Sequence, residues 1–206
     1  MDVLSHRGHW LAPDEKNTQR AFLRSFDAGF GTETDVRDRL GELVIAHDLA
    51  TGGEMLFTDF LRLRAGHGLP LALNIKADGL AQRVHEAMRQ AGHAAWFVFD
   101  MSVPDMRHHL QAGSPVYARM SEHERQPPWF ERVQGVWLDA FDSPWFGADL
   151  VRDLLGQGKR VCVVSSELHG RDSAALWQAL RPLASQPGLA LCTDLPLDAR
   201  GFFQET

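Results

Sequence analysis

Leu71-Ala72-Leu73-Asn74-Ile75-Lys76 is an apolar run whose polar side chains fall two apart at its end, the spacing that sets Asn74 and Lys76 on one face of a strand. Behind it, Leu80, Val84, Ala87, Met88 and Ala91 mark an amphipathic helix. This strand-then-helix unit recurs. Extended runs at 3–6, 32–36, 96–99, 115–119, 136–138, 161–164 and 189–192 bring the count to eight. Helices are expected from a cap at Asn17 or Thr18 through Phe22, Phe26 and Phe30, and over 104–112, 148–155 and 174–183. Residues 43–46 read as the return strand of a hairpin turning at Gly41, and Thr58 as the cap of a short helix over 58–65. Apolar runs of this kind describe parallel strands buried on both faces, and eight is the number that closes a (β/α)8 TIM-type barrel. At 206 residues the chain is shorter than the usual ~250 for that fold, so it should be compact, with a helix missing or shortened between 115–119 and 136–138. The stretch 121–128 is polar and Pro-rich, hence a loop. A doubly wound open sheet is the alternative arrangement of the same elements.

Length and a 44% hydrophobic composition fit one domain over 1–206, with no linker. A net charge of −6 provides no basic field for sequence-independent nucleic-acid binding. The opening Met1-Asp2-Val3-Leu4-Ser5-His6 lacks a charged leader followed by an apolar stretch, and no run approaches the roughly 20 apolar residues that span a bilayer. A cytoplasmic protein without integral membrane contact is the expectation. Cys162 and Cys192 each lie inside an apolar run and read as buried thiols in a reducing compartment. His67, His85, His93, His108, His109 and His123 have no partner at ligand spacing and read as surface residues. Nothing in the sequence indicates an oligomeric state.

The chemistry gathers at the ends of the opening runs: Ser5-His6-Arg7-Gly8, then Glu33-Thr34-Asp35, then His47-Asp48, with Asn74 and Lys76 following. A barrel converges strand ends on one mouth. Glu33 and Asp35 share a strand face and repel each other unless something cationic joins them. Hard carboxylate oxygens suit calcium, magnesium or manganese, and no Cys/His cluster with zinc spacing appears. Cleaving a phosphodiester builds charge on non-bridging oxygens, which a metal and a guanidinium stabilise, while imidazoles exchange protons near neutral pH.

The ordered set His6-Arg7-Gly8, Asn17-Thr18 with Ala21-Phe22, Glu33-Thr34-Asp35-Val36, Leu43-Val44, His47-Asp48, Asn74-Ile75-Lys76 and Thr193-Asp194-Leu195-Pro196 resembles the glycerophosphodiester phosphodiesterase family. The resemblance implies a TIM-type barrel that hydrolyses a small-molecule phosphodiester with a divalent metal, Ca2+ or Mg2+ with Mn2+ as a further candidate. By position, it implies Glu33 and Asp35 as metal ligands, His6 and His47 as the proton-transfer pair, and Arg7 and Lys76 as phosphate-neutralising cations.

The chain departs from the family pattern in three places. Asn74 stands where the family has a third acidic ligand; as a metal ligand its amide oxygen brings no charge, and Asp139 is a second candidate for the missing carboxylate. About 20 residues separate His47-Asp48 from the run at 71–76, fewer than the family's usual roofing segment, so an open site is expected. His169 and Arg171 stand where an aromatic wall is usual and read as substrate contacts. Two rival readings follow: a phospholipase D-like enzyme acting on lysophospholipids, and a barrel that binds phosphate but has lost turnover.

Overall fold

A computed structural model of the chain describes residues 1–64 and 66–204. In chain order the elements are β1 (Asp2–His6), α1 (Gln19–Asp27), β2 (Gly31–Arg39), β3 (Glu42–Ile45), α2 (Phe57–Leu63), β4 (Leu71–Ile75), α3 (Ala81–Gln90), β5 (Trp96–Phe99), α4 (Val103–Ala112), β6 (Tyr117–Met120), β7 (Gly135–Leu138), α5 (Ala148–Gly156), β8 (Arg160–Val164), α6 (Ala174–Leu180), β9 (Leu189–Thr193) and α7 (Pro196–Gln204). Eight parallel strands alternating with helices make this an α/β fold of the TIM-type barrel class. The doubly wound alternative is set aside. Between β6 and β7 a 3-10 turn, Phe130–Arg132, takes the place of a helix, as the short chain requires.

Contacts gather the chain into two compact units, His6–Val116 and Met1–Ser5 with the chain from Tyr117 onward. In the first, β2, β4 and β5 lie side by side in parallel, with Asp35 opposite Asn74 and Asn74 opposite Phe99. Every residue of β4 is buried, the signature of a parallel strand covered on both faces. β2 continues past this sheet to Arg39 and turns back as β3, which pairs with it antiparallel, Val36 opposite Ile45. Thr18 caps α1 by accepting from the Ala21 amide at 3.4 Å, which starts the helix so that Phe22 and Phe26 share its buried side. Phe60 of α2 meets both rings, 4.6 Å from Phe22 and 6.1 Å from Phe26 between centroids. Helix α2 begins at Phe57, with Leu56 at the cap position and no side-chain cap, so Thr58 sits within the first turn. The last residue of the helix expected over 58–65, Ala65, lies outside the described residues, as do residues 205 and 206 of the expected domain.

In the second unit the strand order is β1-β9-β8-β7-β6. Val136, Leu138, Val161, Val163, Leu189 and Leu191 share one core with Leu154, Trp177, Leu180 and Leu183 from the covering helices. Cys162 and Cys192 are buried in β8 and β9 and are not joined in a disulfide. Among the described residues, no helix is long and apolar enough to cross a membrane.

His109 departs from the surface placement expected of it. Helix α4 turns Asp105, Met106 and His109 to its buried side, and His109 Nε2 lies 3.5 Å from Asp105 Oδ2. Asp105 in turn accepts from the Gly79 amide at 3.0 Å, fastening α4 to the segment that leads into α3. Burial holds the His109 ring down to about 4, against the pull of Asp105. Burial, then the charge of Arg64, holds His93 at about 4 as well. A ring whose pKa is depressed in the folded state binds fewer protons than in the unfolded chain. The stability it contributes is therefore complete above pH ~6.5 and is lost as pH falls towards 4. Glu15, Glu54, Glu86 and Glu122, held near 2, act below that window. His109→Gln, which removes one titrating ring, should lose less melting temperature than wild type between about pH 7 and about pH 5. Equal losses in parallel thermal scans would rule out His109 as a source of the acid sensitivity.

Candidate active site

The turn after β1 is held by close backbone contacts. Arg7 and Gly8 both adopt left-handed backbone, φ 57° and 88°. A Cβ on Gly8 would come within 2.8 Å of the Ala21 Cβ and 2.9 Å of its carbonyl carbon, so the turn and α1 touch only because both residues are small. The His9 amide donates to the Ala21 carbonyl at 3.0 Å. The Arg7 amide donates to both the Glu33 carbonyl (3.0 Å) and Glu33 Oε2 (3.2 Å), tying the turn to β2.

Asn17 joins three parts of this arrangement. Its amide donates to the Arg7 carbonyl at 2.9 Å, its Nδ2 donates to Asp35 Oδ2 at 2.8 Å, and its Oδ1 accepts from the Thr34 hydroxyl at 2.9 Å. The residue sits at φ 60°, a conformation asparagine tolerates better than most side chains. Of the two cap candidates in the sequence, Thr18 caps α1, and the Asn17 side chain instead ties Thr34 to Asp35.

Glu33 and Asp35 are buried on one face of β2, where the strand period puts them. The cations their repulsion demands are present. Arg7 Nε lies 2.9 Å from Asp35 Oδ2, and Lys76 Nζ lies 3.3 Å from Asp35 Oδ1. His6 Nε2 stands 3.9 Å from Glu33 Oε2, and the His6 carbonyl accepts from Trp10 Nε1 at 3.1 Å. Burial, then the charge of Asp35, pushes the Glu33 carboxyl well above the usual carboxylate range, with Arg7 and Lys76 opposing. Two carboxylates against a guanidinium and an ammonium leave the cluster near neutral when all four are ionised.

Asn74 neighbours Asp35 in strand register, so the two side chains stand on the same face. Its Nδ2 donates to Asp100 Oδ2 at 3.3 Å. Asn74 Oδ1 and Asp35 Oδ1 are both buried and accept no hydrogen bond. Among the described residues Asp35 Oδ1 has only the Lys76 ion pair at 3.3 Å, and together with Glu33 these oxygens are hard donors of the type that suits a calcium- or magnesium-type ion.

Of the sequence-predicted residues, His6, Arg7, Glu33, Asp35, Asn74 and Lys76 thus come together. His47 stands apart from them. The Ala46 amide donates to the Asp35 carbonyl at 3.1 Å, which brings the hairpin backbone alongside, but the His47 side chain is 43% exposed and pairs through Nδ1 with Asp48 at 2.9 Å. In the other unit, Asp139 Oδ1 accepts from the Ala140 amide (2.8 Å) and lies 2.7 Å from His169 Nε2, while Arg171 donates to the Ala140 carbonyl. Among the described residues, Glu122, His123 and Asp142 form a cluster whose ligand-type atoms lie within 4.8 Å of one another, but Glu122 already accepts from the Phe141 and Asp142 amides.

No protein-family model and no curated protein matches the sequence. Solved structures do match the fold. A glycerophosphodiester phosphodiesterase from Agrobacterium tumefaciens aligns at a TM-score of 0.68 with 18% identity, over 98% of this chain and 99% of that one. A phosphodiesterase from Oleispira antarctica, solved with the product sn-glycerol-3-phosphate, aligns at 0.67 with 17% identity, over 100% and 97%. At such identities the likeness establishes a shared fold.

Asn17→Ala removes two side-chain bonds to buried partners and leaves a residue that tolerates left-handed backbone less well than asparagine. It should cost about 2–3 kcal/mol of stability in urea unfolding. A loss below about half a kcal/mol would mean that Asn17 holds neither Thr34 nor Asp35 in place.

Proposed function

We infer that the chain is a phosphodiester hydrolase of the glycerophosphodiester phosphodiesterase type, acting on a small phosphodiester with a divalent cation. One observation carries the reading: Arg7, Lys76 and His6 surround the buried Glu33–Asp35 pair on a fold shared with two phosphodiesterases. Bound beside Glu33, Asp35 and Asn74, Ca2+ or Mg2+ would supply Lewis-acid stabilisation of the charge that builds on the phosphoryl oxygens.

The chain's own residues supply the rest. Arg7 and Lys76 present N–H donors to the non-bridging oxygens, and because Asp35 fixes both cations beforehand, little reorganisation is needed as charge develops. His6, held near Glu33, and His47, on the segment that follows β3, exchange the two protons: one leaves the attacking hydroxyl and one reaches the departing alkoxide. The His47 side chain is 43% exposed, which leaves it open to a substrate.

Action on a lysophospholipid is the second reading, and the hairpin tip favours it. Leu40 is 99% exposed at the β2–β3 turn, and Leu49 is 79% exposed on the segment beyond His47, apolar side chains that a lipid or detergent surface would cover.

A screen of soluble glycerophosphodiesters and detergent-dispersed lysophospholipids, with added calcium, magnesium or manganese, separates the two. His6→Ala and His47→Ala should each lower turnover by about 10²–10⁴-fold with unchanged circular dichroism. Turnover equal to wild type in both variants refutes the proton-transfer assignment, and inactivity of the wild type on every phosphodiester refutes the reaction.

A further inference from the structure

Asn74 brings an oxygen to the site without a charge, and the structure places a carboxylate directly behind it. Asp100 follows Phe99, the residue opposite Asn74 in register, and its Oδ2 accepts the Asn74 Nδ2–H at 3.3 Å. A carboxylate can only accept, so this contact fixes which way the carboxamide points. Nδ2 faces Asp100, and Oδ1 is the branch left over. That Oδ1 belongs to a side chain only 7% exposed and has no hydrogen-bond partner, so it has the capacity to coordinate a cation. Asp100 itself is held at φ 61°, an uncommon conformation for a residue with a Cβ, at the end of the strand.

We propose that Asp100 is a positioning residue for a divalent-cation site: it orients Asn74 Oδ1 for coordination and supplies, from one atom layer out, the negative charge that Asn74 lacks. This rests on the metal-dependent reading above. The donor set becomes Glu33, Asp35 and the Asn74 amide oxygen, with Asp100 as the outer partner. Outer partners of this kind orient the ligand and raise its donor strength through the hydrogen bond they accept. Asp139 is not needed for that charge, since its Oδ1 is taken by His169 and the Ala140 amide.

Calcium and magnesium ions titrated into the whole chain by isothermal calorimetry test this without any activity measurement. Asp100→Asn keeps the shape and suits left-handed backbone, and it should weaken the cation by about tenfold to a hundredfold. Asn74→Ala, which leaves Asp100 in place, should weaken it by at least as much. The charge swap, Asn74→Asp combined with Asp100→Asn, should restore affinity to within about threefold of wild type, because it moves the carboxylate inward; a purely structural loss would not be repaired in this way. Wild-type affinity in Asp100→Asn or in Asn74→Ala, a swap no tighter than Asp100→Asn, or no cation binding by the wild type would each overturn the assignment. Binding that follows the expected order with no hydrolysis of any phosphodiester would sink the reaction and leave the cation site standing. Hydrolysis with an Asp100→Asn affinity equal to wild type would do the reverse.

Discussion

A carboxylate with no access to water sits in the His6–Val116 unit, and the surrounding chain is arranged to pair it with cations. Asp35 is fully buried, with Arg7 on one oxygen and Lys76 beside the other. An isolated charge at such a position would neutralise itself by protonation rather than stay charged. Each cation comes from a different place in the chain. Arg7 reaches it because Gly8 lets the turn lie against Ala21, and Lys76 because β4 runs parallel to β2, so that the Lys76 amide meets the Val36 carbonyl at 2.9 Å. The position of one side chain thus fixes a turn, a register and a helix approach.

The parallel strands and the hairpin divide the work. β4 and β5 end at the site, and their last side chains, or the residues just past them, contribute Asn74, Lys76 and Asp100. β2 runs on, and only its antiparallel partner can return the chain to the same neighbourhood within a few residues. This is why His47 comes close to Asp35 through the backbone while its ring remains open to solvent. A side chain on a rigid strand interior is positioned by the sheet; one on the exposed segment after a hairpin is positioned by its next partner, here Asp48.

The fold could be read from the sequence wherever burial leaves a period. The eight runs and the missing helix before β7 follow from apolar spacing and from the length left between runs. The grouping of the candidate site was legible where polar residues interrupt those runs, as with Glu33, Asp35, Asn74 and Lys76, because strand alternation fixes their face. His109 was not legible: a buried histidine in an amphipathic helix has the same spacing as an exposed one, and only the packing of Asp105 against Gly79 distinguishes them. Asp100 was missed although it ends an apolar run just as Asn74 and Lys76 do. Its partner lies on the neighbouring strand, and a cross-strand hydrogen bond leaves no pattern along the chain. The cap expected at Thr58 failed for a local reason, since hydrophobic burial of Phe57 and Phe60 starts α2 one residue earlier.

Two carboxylates buried side by side on β2, with a part-exposed guanidinium and ammonium against them, are a poor way to make a protein stable, because desolvating charges costs several kcal/mol apiece and their mutual attraction rarely returns all of it. Well-packed apolar side chains at positions 33 and 35 would continue the covered strands on either side at less cost. Under the proposed function the cluster is preparation for a further charge. With Glu33 and Asp35 balanced by Arg7 and Lys76, a phosphodiester monoanion meets no net attraction. With the proposed divalent cation added, the site would carry net positive charge even with Asp100 counted, and the same low dielectric that made the cluster expensive would strengthen its hold on the anion and on the more highly charged transition state. Burial and the charge of Asp35 raise the proton affinity of Glu33, and a carboxyl too buried to ionise comfortably would be stabilised in its charged form by the cation of the proposed reaction.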